Sequence, residues 1–209
     1  MANLLDLLNS DLGKQIVSSI GKQTGASQQE TSSVLASALP TMLEGLHQNA
    51  SKGGADSIMN ALSKHDGSIL DNVGEFLGGG NKVSEDGKGI LGHIFGNQLG
   101  AVTNGLSKKS GVPASKTASI IEMAAPVLMG YLGKQTKTSG VNNGGGLAGM
   151  LGGLLGGSGG GGSILGSLLD QNGDGKLDIS DVASVISGTN KKGGGGILGG
   201  LLGGLFGKK

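Results

Sequence analysis

The stretch DQNGDGKLDISD, Asp170 to Asp181, sets carboxylates at regular intervals inside a tail otherwise dominated by glycine and leucine. With Asp170 as position one, Asn172 stands at three, Asp174 at five, Gly175 at six, Lys176 at seven, Asp178 at nine and Asp181 at twelve. A hard cation such as calcium takes about six to eight oxygens at roughly 2.3 to 2.6 Å, and a chain winding around it turns alternate side chains inward. The expected ligands are therefore the side chains of Asp170, Asn172, Asp174, Asp178 and Asp181 with the backbone carbonyl of Lys176. Gly175 permits the sharp turn that such a path needs.

Two short helices must hold this loop. Ile164, Leu165, Leu168 and Leu169 make an apolar face before it, and Ile179, Val182, Val185 and Ile186 make another after it. The module, residues 163–188, resembles an EF-hand or the related dockerin loop, whose twelfth residue is often Asp. The EF-hand pattern has Glu at twelve; Asp181 is one methylene shorter, so calcium binding weaker than in high-affinity buffers is expected, with magnesium as a competitor. Such loops commonly pair across position eight, here Leu177, and the chain carries one copy. Pairing with a second subunit, a homo-oligomer, is the corresponding expectation. The plainer alternative is a solvated turn: Asn-Gly and Asp-Gly are ordinary turn dipeptides, and exposed carboxylates about 4 Å apart in water repel by only ~1 kcal/mol.

No catalytic set accompanies the loop. His47, His65 and His93 are the only histidines. The His65-Asp66 dipeptide matches a phosphohydrolase fragment but lacks the remaining ligands, and a solvated helix end is the simpler expectation. His93, between Leu91 and Ile94-Phe95, reads as a packed or interfacial residue. No serine lies in a G-x-S-x-G elbow, and no glycine-rich stretch has the lysine of a phosphate loop. The chain is expected not to be an enzyme, and no small-molecule substrate is identified. A hydrolase in the helical body would need a concave site converging on the histidines.

Composition narrows the partners. A formal net charge of +1 leaves no basic footprint for nucleic acid, and aromatics at 2% of the chain leave no stacking platform. Cysteine is absent, which removes disulfides and thiolate chemistry. The N-terminal MANLLDLLNSDLGKQ has no basic leader ahead of an apolar core, so a cytoplasmic location is expected.

The elements upstream are helical. Residues from Ile16, IVSSIGKQTGASQQETSSVLASALPTMLEGL, align without a gap on those from Val102, VTNGLSKKSGVPASKTASIIEMAAPVLMGYL. Lys22 falls on Lys108, Gly25 on Gly111, Thr31 on Thr117 and Pro40 on Pro126. The body, residues 1–138, thus reads as a duplicated helix-turn-helix unit, about 3–48 and 89–134. In each unit a glycine ends one helix in the left-handed conformation. Ser27 and Glu30 form a capping-box signature for the second helix, and Pro40 is expected to kink or restart it. The middle segment offers two shorter amphipathic helices, Asp56 to Lys64 and Ser68 to Leu77. Strand signals are missing, so the fold class is all-α: a helical body followed by a glycine-rich tail carrying the helix-loop-helix calcium motif.

The sequence GKGILGHIFG, Gly87 to Gly96, followed by Gly111, the pair Ile120-Ile121 and Pro126, resembles the bacterial family called domain of unknown function 937. The resemblance covers residues 1 to about 135. It implies a small helical bacterial protein and brings no activity and no catalytic residues.

Two glycine/leucine stretches remain. Residues 139–162 read as a linker containing the island LAGMLGGLLGG, Leu147 to Gly157, and residues 189–209 as a C-terminal tail. On a helix the pairs Ile197/Leu198, Leu201/Leu202 and Leu205/Phe206 form one stripe. The glycines between them cost about 1 kcal/mol each against alanine, while burial of each large side chain returns roughly 1.5 to 3 kcal/mol. This end is therefore expected to order only on a partner: another copy, the body, or a membrane surface reached through 197–209. A membrane-peripheral or envelope-associated protein is accordingly the alternative function, and a low-complexity tail without a partner the plain alternative.

Overall fold

The computed structural model describes residues 8–65 and 67–156. The calcium-loop residues and the C-terminal 197–209 stretch lie outside the described residues. Among the described residues the α-helices follow in the order α1 Asp11–Thr24, α2 Gln28–Asn49, α3 Ala55–Lys64, α4 Val73–Leu77, α5 Asn81–Phe95, α6 Leu99–Ser110, α7 Ala114–Thr138 and α8 Gly144–Gly156. A π-helical turn, Ala50–Gly54, joins α2 to α3, and 3-10 turns occupy Ser68–Leu70 and Gly96–Gln98. No strand occurs among the described residues, and the fold is all-α.

Local chemistry sets the helix ends. Gly25 closes α1 at φ 65° and Gly111 closes α6 at φ 72°, a left-handed conformation that costs glycine nothing. At the start of α2, Glu30 N–H donates to Ser27 Oγ (3.1 Å) and Ser27 N–H donates to Glu30 Oε2 (2.7 Å), the full capping box. The Ser27 N–H, then the Lys116 ammonium, hold the Glu30 carboxyl at about 2, below its ordinary 4.5.

The two helix-glycine-helix pairs, α1–α2 and α6–α7, are offset by 86 residues, and equivalent positions behave alike. Thr31 and Thr117 are both fully buried, their hydroxyls donating to the carbonyls of Ser27 (2.9 Å) and Val112 (3.1 Å). Contacts between the units are reciprocal: α1 packs on α7 and α6 on α2, while α2 and α7 pack on each other. The likeness continues past residues 48 and 134, since α3 packs on α7 and α8 on α2. Each of those helices offers an apolar pair four residues apart, Ile58/Leu62 and Leu147/Leu151, all buried.

Neither α2 nor α7 restarts at its internal proline. Both helices are buried along much of their length, so tertiary packing outweighs the lost hydrogen bond. Pro126 has no N–H for the Glu122 carbonyl, and that oxygen faces Gly87 of α5; a Cβ on Gly87 would overlap it. The close crossing of α5 on α7 therefore needs glycine at 87, and it fits a Cα–H donor to the freed carbonyl.

Two stretches differ from the sequence expectation. Ser68 to Leu77 is not one helix: after the 3-10 turn, Asn72 leaves helical geometry at φ −136°, ψ 50°, and α4 begins at Val73. Leu70, Val73 and Leu77 all reach the core across this break, at the i, i+3, i+7 spacing that would also put them on one face of an unbroken helix. Residues 139–162, read as a linker, contain α8. Its intrinsic propensity is poor because seven of its thirteen residues are glycine. Burial of Leu147 and Leu151, both 0% exposed, against the body supplies the missing stability.

Candidate functional site

A groove of about 700 Å³ lies between α3 and α5. That size falls within the range of small-molecule sites. Its apolar floor comes from Leu46 of α2, Ile58 and Ala61 of α3, Ile90 and Ile94 of α5, and Met129 of the central helix α7. Polar groups stand along both walls: Ser57, Asn60, Lys64 and His65 on the α3 side, Glu85, Asp86 and His93 on the α5 side.

Helical periodicity builds each wall. On α5, Glu85, Gly89 and His93 recur every four residues, as do Asp86 and Ile90, so they share a face. On α3 the same spacing links Ser57 to Ala61 and Ala61 to His65. His65 caps α3, and its carbonyl sits against Gly133 of α7, where a side chain would collide with it. That contact pins the end of the α3 wall. At the opposite end, Asn49 Nδ2 donates to the His93 carbonyl (2.8 Å) and approaches that of Ile94 (3.4 Å). It thereby satisfies last-turn carbonyls of α5 that have no helical partner. The α2–α5 approach is equally tight at Gly45, where an added Cβ would lie 2.6 Å from Ile94 Cγ2.

The structure brings together two of the three histidines. His65 and His93 line the same groove although 28 residues separate them, whereas His47 lies against Gly152 of α8, outside it. His93, read as packed or interfacial, is exposed at the rim, since Leu91, Ile94 and Phe95 take the buried face of α5. No three of His, Asp and Glu stand close enough to hold a metal ion among the described residues. The groove can surround a small solute carrying both charge signs: carboxylates face one wall, an ammonium and an imidazole the other, over apolar ground. Sequence reasoning missed it because its walls come from helices distant in sequence. The i, i+4 pairs on α5 were legible, but their partner wall was not.

The six calcium-ligand candidates, Asp170, Asn172, Asp174, Lys176, Asp178 and Asp181, lie outside the described residues. No helix among the described residues is long and apolar enough to cross a membrane. Within the island Leu147 to Gly157, Leu147 and Leu151 are buried on their own chain through α8.

A family model described as "Bacterial protein of unknown function (DUF937)" matches residues 6–135, most of the chain, and the chain belongs to that family. No curated protein and no solved structure matches it.

Proposed function

We propose that this bacterial family member is a non-catalytic helical protein whose tail carries a calcium-binding loop, with the ion held by Asp170, Asn172, Asp174, Asp178, Asp181 and the Lys176 carbonyl. The observation that supports it is the spacing of oxygen-bearing residues at positions one, three, five, seven, nine and twelve, with glycine at six. Ion binding would order the flanking apolar faces and present Leu177 to a second copy of the loop, joining two chains. Calorimetric titration with calcium, on the full chain and on Asp174→Ala, tests this. One site in the parent and none in the variant is the expected result; equal heats from both refute it. Sizing in parallel tests the pairing, and a calcium-bound monomer rules that part out.

A second reading is favoured by the groove between α3 and α5. It would bind a small zwitterionic solute through Glu85 and Asp86 on one side and Lys64 and His65 on the other, over the Met129 floor. Thermal-shift screening of amino acids and related zwitterions tests it, with Asp86→Asn as the control. A stabilising solute whose effect disappears in the variant supports the groove; no stabilising solute removes this reading.

A further inference from the structure

Helix α8 occupies a seat made by α2, the Ala50–Gly54 turn and α3. Its anchors are Leu147 and Leu151, each 0% exposed, and Gly152 is where His47 rests, an added Cβ there lying 3.5 Å from the imidazole. The ten residues that fill the seat, LAGMLGGLLG from Leu147 to Gly156, are matched near the end of the chain by LGGLLGGLFG, Leu198 to Gly207. Seven of the ten positions are identical. The anchors become Leu198 and Leu202, Gly152 becomes Gly203, and Leu154/Leu155 become Leu205/Phe206. The two buried anchors and the glycine against His47 are repeated, while Ala148, Met150 and Leu155, which also pack against the core, become Gly199, Leu201 and Phe206.

We propose that residues 198–207 are a second occupant of the α8 seat on their own chain, exchanging with α8. Both segments are glycine-rich, so a helix in either has little stability of its own and depends on the same burial. What separates them is the tether. Five residues, 139–143, connect α8 to α7, whereas fifty-nine, 139–197, separate the second segment from α7 when α8 is displaced. Effective concentration falls roughly as the −3/2 power of linker length, which favours α8 about fortyfold. A second copy's tail has no tether at all and ranks below both. The seat is therefore filled mainly by α8, and loss of the α8 anchors hands it to the tail. This exchange does not depend on calcium binding.

The chain has no cysteine, so paired substitutions report the exchange without background. The probe is a short bis-maleimide applied to the full chain carrying His47→Cys and Gly203→Cys, with Asn104→Cys and Gly203→Cys as a collision control on exposed α6. The expected result is a cross-link within one chain, faster than the control, that rises about tenfold or more when Leu147→Ser and Leu151→Ser are added and falls to the control rate with Leu198→Ser and Leu202→Ser. If the α8 double variant loses helicity by circular dichroism, the comparison with Leu198→Ser and Leu202→Ser in the native α8 background decides alone. A 47–203 rate equal to the control, indifference to Leu198 and Leu202, or cross-links only between chains would overturn the proposal.

Discussion

Lys116 Nζ lies 3.0 Å from Glu30 Oε1, and the two residues occupy the same position, third in the second helix, of the two repeated units. A residue that touches its own equivalent marks the place where a twofold relation would pass between units. Identical charges there would repel. Opposite charges join α2 to α7, and both side chains are only about a third exposed, at 33% and 30%.

Glu30 gives the fold a pH dependence with a defined sign. Its folded carboxyl titrates at about 2 against an ordinary 4.5, so the unfolded chain binds the proton more readily. The stabilisation is complete above 4.5 and is lost as pH falls toward 2. Thermal melts should show Glu30→Gln less stable than the parent at pH 7, with the difference shrinking over that window. A constant difference down to pH 2 would contradict it.

Gly87 and Gly89 share helix α5 and should respond oppositely to alanine. At Gly87 the new Cβ meets the Glu122 carbonyl, a backbone atom that cannot step aside, and overpacking of this kind costs about 1 to 3 kcal/mol or more. At Gly89 nothing lies within 4 Å, and removing glycine from a helix interior should add about 0.5 to 1 kcal/mol. Urea midpoints of the two variants check both signs.

Leu151→Ala should release α8 rather than unfold the body. Truncating a buried leucine costs about 2 to 5 kcal/mol, enough to undo a glycine-rich helix held by two anchors. The α1–α7 core has its own buried contacts. Hydrogen exchange should therefore lose protection at 144–156 while protection in α7 persists; simultaneous loss in both would refute independent release.

Asp181→Glu should tighten calcium binding, because the added methylene lets both carboxylate oxygens reach the ion. Titration of parent and variant under one buffer reads the change. An unchanged affinity would mean that position twelve does not contact the metal.

Features that depend on neighbours a few residues apart are legible in the chain. The left-handed glycines Gly25 and Gly111, the Ser27–Glu30 capping box and the all-α class are local, and the structure has each of them. The 86-residue offset is likewise readable in the sequence, and it pairs Thr31 with Thr117, which are both buried. Tertiary structure alone decided which surfaces meet. Nothing near Gly87 announces that Glu122 lies against it, and nothing near His65 places His93 across a groove, because those distances are set by how α3, α5 and α7 pack. Helix α8 shows the physical reason most clearly. Glycine propensity argues for a linker, and only the burial of Leu147 and Leu151 on α2 and α3, a contact that exists once the body has folded, turns the balance to helix.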